Sequence, residues 1–462
     1  ILPMIVNAKK NKQSEESISR KLALSALLTV EKGQYAEQSL NEILHGRVLS
    51  REDRNLVTEL VYGVTRNRSH LDHIISQFLK NPGKKISHIL RNILRMGVYQ
   101  IIYLDRIPVR AIVNEATLQA KRLLTMSTSG FVNGLLRNVS ANSESIRMAP
   151  KNSSAELSKY YSHPEWLVKR WFDQYGPDQT VKILEFNNSR PSLVFHANTH
   201  KISFGEFLER LKQCGLRIGA IYPEFSSLEI TSLGQPVSTV AGFEEGLFLV
   251  QDLASQLVPS LLKPLRGHRI LDACAAPGNK AFHLAPTPDL EVELVLCDIN
   301  PNRLAESRQN LQRLGVGPYQ AHCMDCSDSN LVRQLGEFDR ILVDAPCSSL
   351  GVLRHNPEVK YTVTPNKLRE HSAKQLSLLK SVSKTLKPNG LLVYSVCSVS
   401  TEETLGVVQQ FLKDEPSLVI DPISPNECTP FASIDGNGFL FTFPPDLNQP
   451  MDGFFAARFC RV

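Results

Sequence analysis

Two short stretches of the chain place a thiol where a buried strand should stop. Residues 341–350 read ILVDAPCSSL, so Asp344 and Cys347 follow an apolar run and flank a proline; residues 394–403 read YSVCSVSTEE, with Cys397 in the same situation. Two further apolar runs end in carboxylates: LDACAAPGNK at 271–280 carries Asp272, and CDINPNRL at 297–304 carries Asp298. Taken singly, each residue has an ordinary use, a cysteine as a small buried hydrophobe and an aspartate as a turn or helix cap. Taken together they sit where open α/β sheets bind ligands, outside the carboxyl ends of the strands. Two thiols converging on an alkyl donor suit a substrate that must be attacked before it can be methylated. C5 of cytosine is such a centre, because aromatic delocalisation leaves it a poor nucleophile until a thiolate adds at C6 and creates an enamine. Asp344 is the candidate to neutralise charge developing at N3. A second cysteine would assist release once the C5 proton leaves.

The other loops bear on the donor. A nicotinamide dinucleotide would need G-x-G-x-x-G after the first strand, so that backbone can approach a pyrophosphate. The loop has only Gly278. S-adenosylmethionine carries no phosphate and fits better, with Asp272 and Asp298 spaced to meet a nucleoside and its ribose hydroxyls. A third strand should end in CMDC, residues 323–326, placing Asp325 to accept from an adenine amino group. The three aspartates are expected in register on successive strands. Cys323 and Cys326 form one CxxC without a second pair, which is not a zinc-site pattern.

These loops need a scaffold, and 462 residues are enough for two or three domains. Residues 15–140 repeat helical spacing (Leu24, Leu27, Leu28; Leu71, Ile74, Ile75, Phe78) and lack strand patterns, with a break at Pro82-Gly83. Residues 142–158 are polar and turn-rich, as a linker would be. From 159 to 245 a helical HPEWLVKRWFDQYG, a strand-like SLVFHAN, an amphipathic helix on Phe204, Phe207, Leu208 and Leu211, and SLEITS suggest a small α+β module. From 252 on, RILDAC, LVLCDI, YQAHCM, RILVDA and GLLVYSVC alternate with helices, predicting a parallel doubly wound sheet that closes with FLFTF and GFFAARF. The expected domains are 1–150, 151–250 and 251–462.

Charge separates the same regions. Residues 1–150 hold 22 Lys and Arg against 12 Asp and Glu, a net +10, so the remainder carries −4 of the total +6. A basic helical domain on a mildly acidic body suggests a nucleic-acid-binding appendage. No apolar run reaches the ~20 residues that cross a bilayer, and ILPMIVNAKKNK puts its apolar residues ahead of its lysines, the reverse of a secretory signal. All nine cysteines lie after residue 200 without a disulfide framework, so reduced thiols and a cytoplasmic setting are expected.

DACAAPGNK, DAPCSSLGVLRHNPEVK (344–360), YSVCS (394–398), VQDLASQ (250–256) and DGFFAAR (452–458) resemble the signature stretches of the Nop/Sun RNA cytosine-5 methyltransferases. The all-α segment resembles the NusB fold, and the pairing is similar to the bacterial Sun/Fmu (RsmB-type) branch that acts on 16S ribosomal RNA. The resemblance spans nearly the whole chain. It implies an all-α NusB-like domain, a small α+β RNA-recognition module and an α/β Rossmann-like S-adenosylmethionine-dependent methyltransferase domain. It further implies a monomer whose partner is 16S ribosomal RNA, not DNA or a membrane. The cofactor S-adenosyl-L-methionine would be held by Cys274, Ala275, Ala276, Pro277, Gly278, Asn279, Lys280, Asp298, Arg303, Asp325 and Asp344. The resemblance makes Cys397 the nucleophile, gives Cys347 product release and keeps Asp344 catalytic. DNA cytosine methyltransferases use the Pro-Cys thiol instead, which would reverse the two cysteines. Four positions depart from the family pattern: Asn279 replaces a second glycine, Val396 a threonine, Ser349 a common small residue, and His196 a frequent arginine, which weakens any phosphate contact expected there. Asn279 is expected to tolerate left-handed backbone there. Competing expectations are a transfer-RNA cytosine-5 methyltransferase and an RNA-binding protein without chemistry.

Overall fold

The computed structural model describes residues 17–79, 81, 85–148, 153–233, 235–287, 290–428, 432–443 and 451–462. The opening ILPMIVNAKKNK, the Pro82-Gly83 break and residues 149–152 of the expected linker lie outside the described residues. The chain forms two compact units, Ile1–Thr180 and Val181–Val462.

The described part of the first unit is helical, with Ile18–Val30, Ala36–Leu44, Arg51–Arg66, Arg68–Gln77, His88–Tyr103, Val109–Leu123 and Met126–Ala141 as its main elements. Three of these begin at a Ser or Thr whose hydroxyl accepts from the backbone three residues on: Ser50 from Asp53, Ser87 from Leu90, Thr125 from Thr128. Their apolar stripes meet in one core that includes Leu27, Leu60, Leu71, Ile93 and Leu136, all nearly inaccessible. Arg95 is buried against it, and its guanidinium is satisfied by Asp72 and Glu31, as a buried cation requires. The helix expected at HPEWLVKRWFDQYG is Glu165–Asn188, broken at Gly176, which takes φ 76° just before Pro177.

In the second unit a four-stranded antiparallel sheet has the order β2-β3-β1-β4, with β1 Leu193–Ala197, β2 Arg217–Tyr222, β3 Ser227–Ser232 and β4 Phe248–Val250. The helix Phe204–Gln213 opens with a reciprocal Ser203–Glu206 capping box and buries Phe207 and Leu211 with Phe195 and Phe248. Strands β2 and β4 were not expected from the sequence pattern.

The larger sheet contains β5 Arg269–Asp272, β6 Glu293–Asp298, β7 Gln320–Cys323, β8 Phe338–Asp344, β9 Leu386–Val396, β10 Leu418–Ile420, β11 Ser433–Ile434, β12 Leu440–Phe441 and β13 Phe455–Arg461. Its order is β11-β12-β13-β9-β8-β5-β6-β7, with β10 also pairing β13. Strands β5 to β9 run parallel and β13 returns antiparallel beside β9. The expected strand at FLFTF shrinks to two residues, and β10 and β11 are additional. Strand order reverses at β5, between β6 and β8. The carboxyl edge there is the crevice where doubly wound sheets take ligands, and the apolar strand centres (Leu271, Val295, Ile341, Leu392) hold it rigid by burial on both faces.

Candidate active site

The sulfur atoms of Cys347 and Cys397 lie 3.3 Å apart. Strands β8 and β9 pair in parallel with Asp344 opposite Ser395, so the chain three residues beyond one and two beyond the other meets over a single edge. Gly351 closes the arrangement: its N–H donates to Cys397 O at 3.0 Å, and its own carbonyl accepts from Gly453 N at 2.9 Å. A Cβ at Gly351 would stand 1.8 Å from the Gly453 carbonyl oxygen, so only glycine allows these loops to approach.

The two thiols are unequal. The S–H of Cys347 directed at Cys397 favours a thiolate on Cys397, and the hydroxyl of Ser349, 3.8 Å away, and the Lys280 ammonium act the same way; they outweigh burial and the Asp344 charge, and the Cys397 thiol is shifted down. That same S–H···S contact, then burial and nearby negative charge, pushes Cys347 well above the usual thiol range. The contact couples the two thiols, so a change in the protonation of one moves the other. Ser349 holds this position at φ 61°, a left-handed conformation uncommon outside glycine.

Asp344 is fixed by two donors, Lys280 Nζ at 2.6 Å and Ser395 Oγ at 2.7 Å. Lys280 also lies 5.3 Å from the Phe454 ring centroid.

The expected donor-binding residues gather at the neighbouring strand ends. Gly278 takes φ 98° and Asn279 opens the helix Asn279–His283, so the left-handed residue is the glycine, and Asn279 does not have to adopt the left-handed backbone it was expected to tolerate. Asn279 instead donates to Val250 O at 3.1 Å, tying the loop to β4. Cys274, Ala275, Ala276 and Pro277 form the turn between β5 and that helix. Asp298 accepts from Ala276 N at 3.3 Å and Asn300 N at 2.8 Å, and Arg303 donates to Ala276 O at 2.9 Å, so both brace the turn. Asp272 is 1% exposed, and its Oδ2 has no hydrogen-bond partner among the described residues; burial, then the Asp344 charge, pushes its carboxyl up to about 7. Asp325 is exposed and accepts from Ser327 N at 2.9 Å within its own turn. The expected common register is not kept: Asp272 pairs with Leu296 and Asp298 with Cys323, so each aspartate stands two residues beyond its neighbour and the three fan outward.

Two features were not read from the sequence, and a third residue, His196, was read without its structural role. Glu403, inside the quoted YSVCSVSTEE, is wholly buried and accepts hydrogen bonds from residues of both cysteine loops. Arg354 donates to Asp452 at 3.0 Å while His355 Nε2 lies 3.0 Å from the other Asp452 oxygen, and Asp452 N donates to Asp252, so the VQD, RHNP and MDG stretches share one polar cluster. His196, where phosphate contact was doubted, sits with Nδ1 2.8 Å from Phe225 O, and burial lowers its pKa to about 4; it is a neutral structural ring.

A doubly wound sheet with carboxylates at successive strand ends, a thiol pair at the switch-point edge, a small α+β domain and an all-helical unit together define a multidomain Rossmann-like methyltransferase. Residues 259–460 match the family described as 16S rRNA methyltransferase RsmB/F, residues 17–141 the NusB family, and residues 163–226 the RsmF/B-like ferredoxin-like domain. The chain is 33% identical over 432 residues to the ribosomal RNA small subunit methyltransferase B of Klebsiella pneumoniae subsp. pneumoniae, covering 91% of this chain and 96% of that one. It therefore belongs to the RsmB/F family of 16S rRNA methyltransferases. The crystal structure of PH0851 shares the fold over 97% of this chain and all of that one, at TM-score 0.80 and 24% identity. A structure of NSun6 from Pyrococcus horikoshii with SFG covers 65% of this chain and 98% of its own, at TM-score 0.57 and 21% identity. Among the described residues no helix is long and apolar enough to cross a membrane.

Proposed function

We propose that this chain methylates C5 of a cytosine in 16S ribosomal RNA through a covalent bond between Cys397 and C6 of the base, using S-adenosyl-L-methionine. The observation that carries this reading is the close, unequal thiol pair beside a lysine-bound aspartate. The donor set fits S-adenosylmethionine: an unpartnered buried oxygen on Asp272 and the Asp298 carboxylate suit ammonium and ribose donors, and a turn with one glycine needs to cradle no phosphate. Solved NSun6 with SFG, an S-adenosylmethionine analogue, adds support from a protein of this fold. Cys274 to Lys280, Asp298 and Asp344 would hold the donor, Arg303 would brace its turn, and Asp325 would meet adenine at the rim. When bound, the donor supplies an electrophilic methyl group.

The protein's own groups do the rest. Cys397 adds to C6, forming the S–C bond while Asp344 passes a proton to N3, with the Lys280 ammonium 2.6 Å behind it as reservoir. The enamine so formed makes C5 nucleophilic. After methylation a solvent water takes the C5 proton, the C6–S bond breaks, Cys397 departs as a thiolate beside the Cys347 S–H at 3.3 Å, and N3 returns its proton to Asp344. The basic helical domain, +10 over residues 1–150, would supply phosphate contacts. Incubating the full chain with 16S RNA and S-adenosylmethionine, followed by bisulfite sequencing, tests the position of methylation. A newly protected cytosine is expected; methyl incorporation with every cytosine still converted would exclude C5.

A further inference from the structure

Glu403 has no part in the steps above, yet it is 0% exposed at the same sheet edge. Its Oε1 accepts from Ser348 N at 2.8 Å and Gln375 Nε2 at 3.1 Å. Its Oε2 accepts from the hydroxyls of Ser348 and Ser398 at 2.5 Å each. Ser348 directly follows Cys347, and Ser398 directly follows Cys397. One buried carboxylate thus receives donors from both thiol loops, enough to satisfy a charge removed from water. Gln375 also donates to Pro346 O at 3.0 Å, and Tyr394 donates to the Glu403 carbonyl at 2.6 Å, so the carboxylate is locked in place.

The connection is asymmetric. Toward Cys347 it runs through a backbone N–H and a hydroxyl, toward Cys397 through a hydroxyl alone. The charged and titratable groups around the pair are Asp344 and Lys280 on one side, and Tyr394 and Glu403 on the other; the helix Pro365–Ser383 contributes neutral Gln375. Asp344 and Lys280 act on Cys397 with opposite signs, whereas the Glu403 charge acts on Cys347 and favours its protonated form. We propose that Glu403 is a positioning residue whose charge keeps Cys347 protonated and so leaves Cys397 as the attacking sulfur. This rests on the covalent reading given above and adds to it what divides the labour between the two cysteines. A neutral residue at 403 would preserve the sheet edge but make the thiols more alike.

The test is thiol labelling of the full-length protein. Brief exposure to limiting iodoacetamide across a pH series, with peptide mapping, gives a labelling midpoint for each cysteine without requiring turnover. In the native sequence Cys397 labels at lower pH than Cys347; the reverse order would overturn the covalent assignment itself. In Glu403→Gln the Cys347 midpoint falls by about one pH unit, and the gap to Cys397 narrows. A folded Glu403→Gln protein with both midpoints unmoved would overturn the role of Glu403 and leave the covalent reading standing. Glu403→Asp keeps the charge and shortens the side chain, and it decides the matter even if the glutamine variant does not fold. Retention of the native Cys347 midpoint in Glu403→Asp supports control by charge, and a fall to that of Cys397 contradicts it.

Discussion

Two loops of this sheet present cysteine and aspartate side by side, and they differ in everything but composition. At the ends of β8 and β9, Lys280, Ser395 and Gly351 hold Asp344 and the two thiol loops through contacts of 2.6 to 3.0 Å, the two sulfurs lie 3.3 Å apart, and Glu403 ties together the serines that follow each cysteine. At the end of β7, Cys323 is exposed with its sulfur 3.7 Å from Ile299 O, Cys326 is buried, and Asp325 caps its own turn in solvent. Residue type is shared; convergence is not. What prepares a thiol for chemistry here is a set of neighbours that fix its position and its proton.

The largest break in this comparison should come from Gly351. In Gly351→Ala the new Cβ meets the Gly453 carbonyl, and separating the loops should cost about 3 kcal/mol, as overpacking against backbone does. Denaturant unfolding measures it, and thiol labelling should show Cys347 and Cys397 becoming alike.

Next is the donor edge. Asp298→Ala removes a 5%-exposed carboxylate that also braces the 276 turn and should weaken S-adenosylmethionine binding by about 1.5 to 3 kcal/mol, whereas exposed Asp325→Ala should cost less than about 1. Calorimetry on both variants ranks them, and a larger loss at Asp325 would move the site outward.

A smaller effect concerns stability against pH. Asp272 has its folded pKa raised from 3.8 to about 7, so folding favours its protonated form; that contribution is full below pH 3.8 and is lost as pH rises through about 7. Asp272→Asn should therefore be more stable than the native protein at pH 8, by about 1 to 2 kcal/mol, with little advantage at acid pH. Melting at both values checks the sign. The smallest expected effect is Cys323→Ser, an exposed change that should alter stability and methylation by less than about 0.5 kcal/mol.

The sequence disclosed these regions unequally. Apolar runs ending in Asp272, Asp298, Asp344 and Cys397 marked β5, β6, β8 and β9, because parallel strands buried on both faces read as continuous apolar stretches. Short strands such as β2, β4, β10 and β11 carried too few residues for a period to show. The groups proposed to react were noticed because thiols and carboxylates at strand ends have few structural uses in combination. Their supports were not. Glu403 looks like any acidic residue beyond a strand, Gly351 like any loop glycine, and Asp252, His355 and Asp452 are separated by up to 200 residues until folding joins them. The stagger of the three aspartates also depends on strand pairing, which spacing within one strand does not reveal.

The central claim is that Cys397 attacks the base and Cys347 releases it. Denaturing electrophoresis of Cys347→Ala and Cys397→Ala after incubation with 16S RNA and S-adenosylmethionine tests it most directly. Cys347→Ala should accumulate a protein–RNA species that survives denaturation, and Cys397→Ala should form none and lose methylation. A stable adduct in Cys397→Ala with none in Cys347→Ala would reverse the two roles, and methylation persisting in both without any adduct would contradict covalent catalysis altogether.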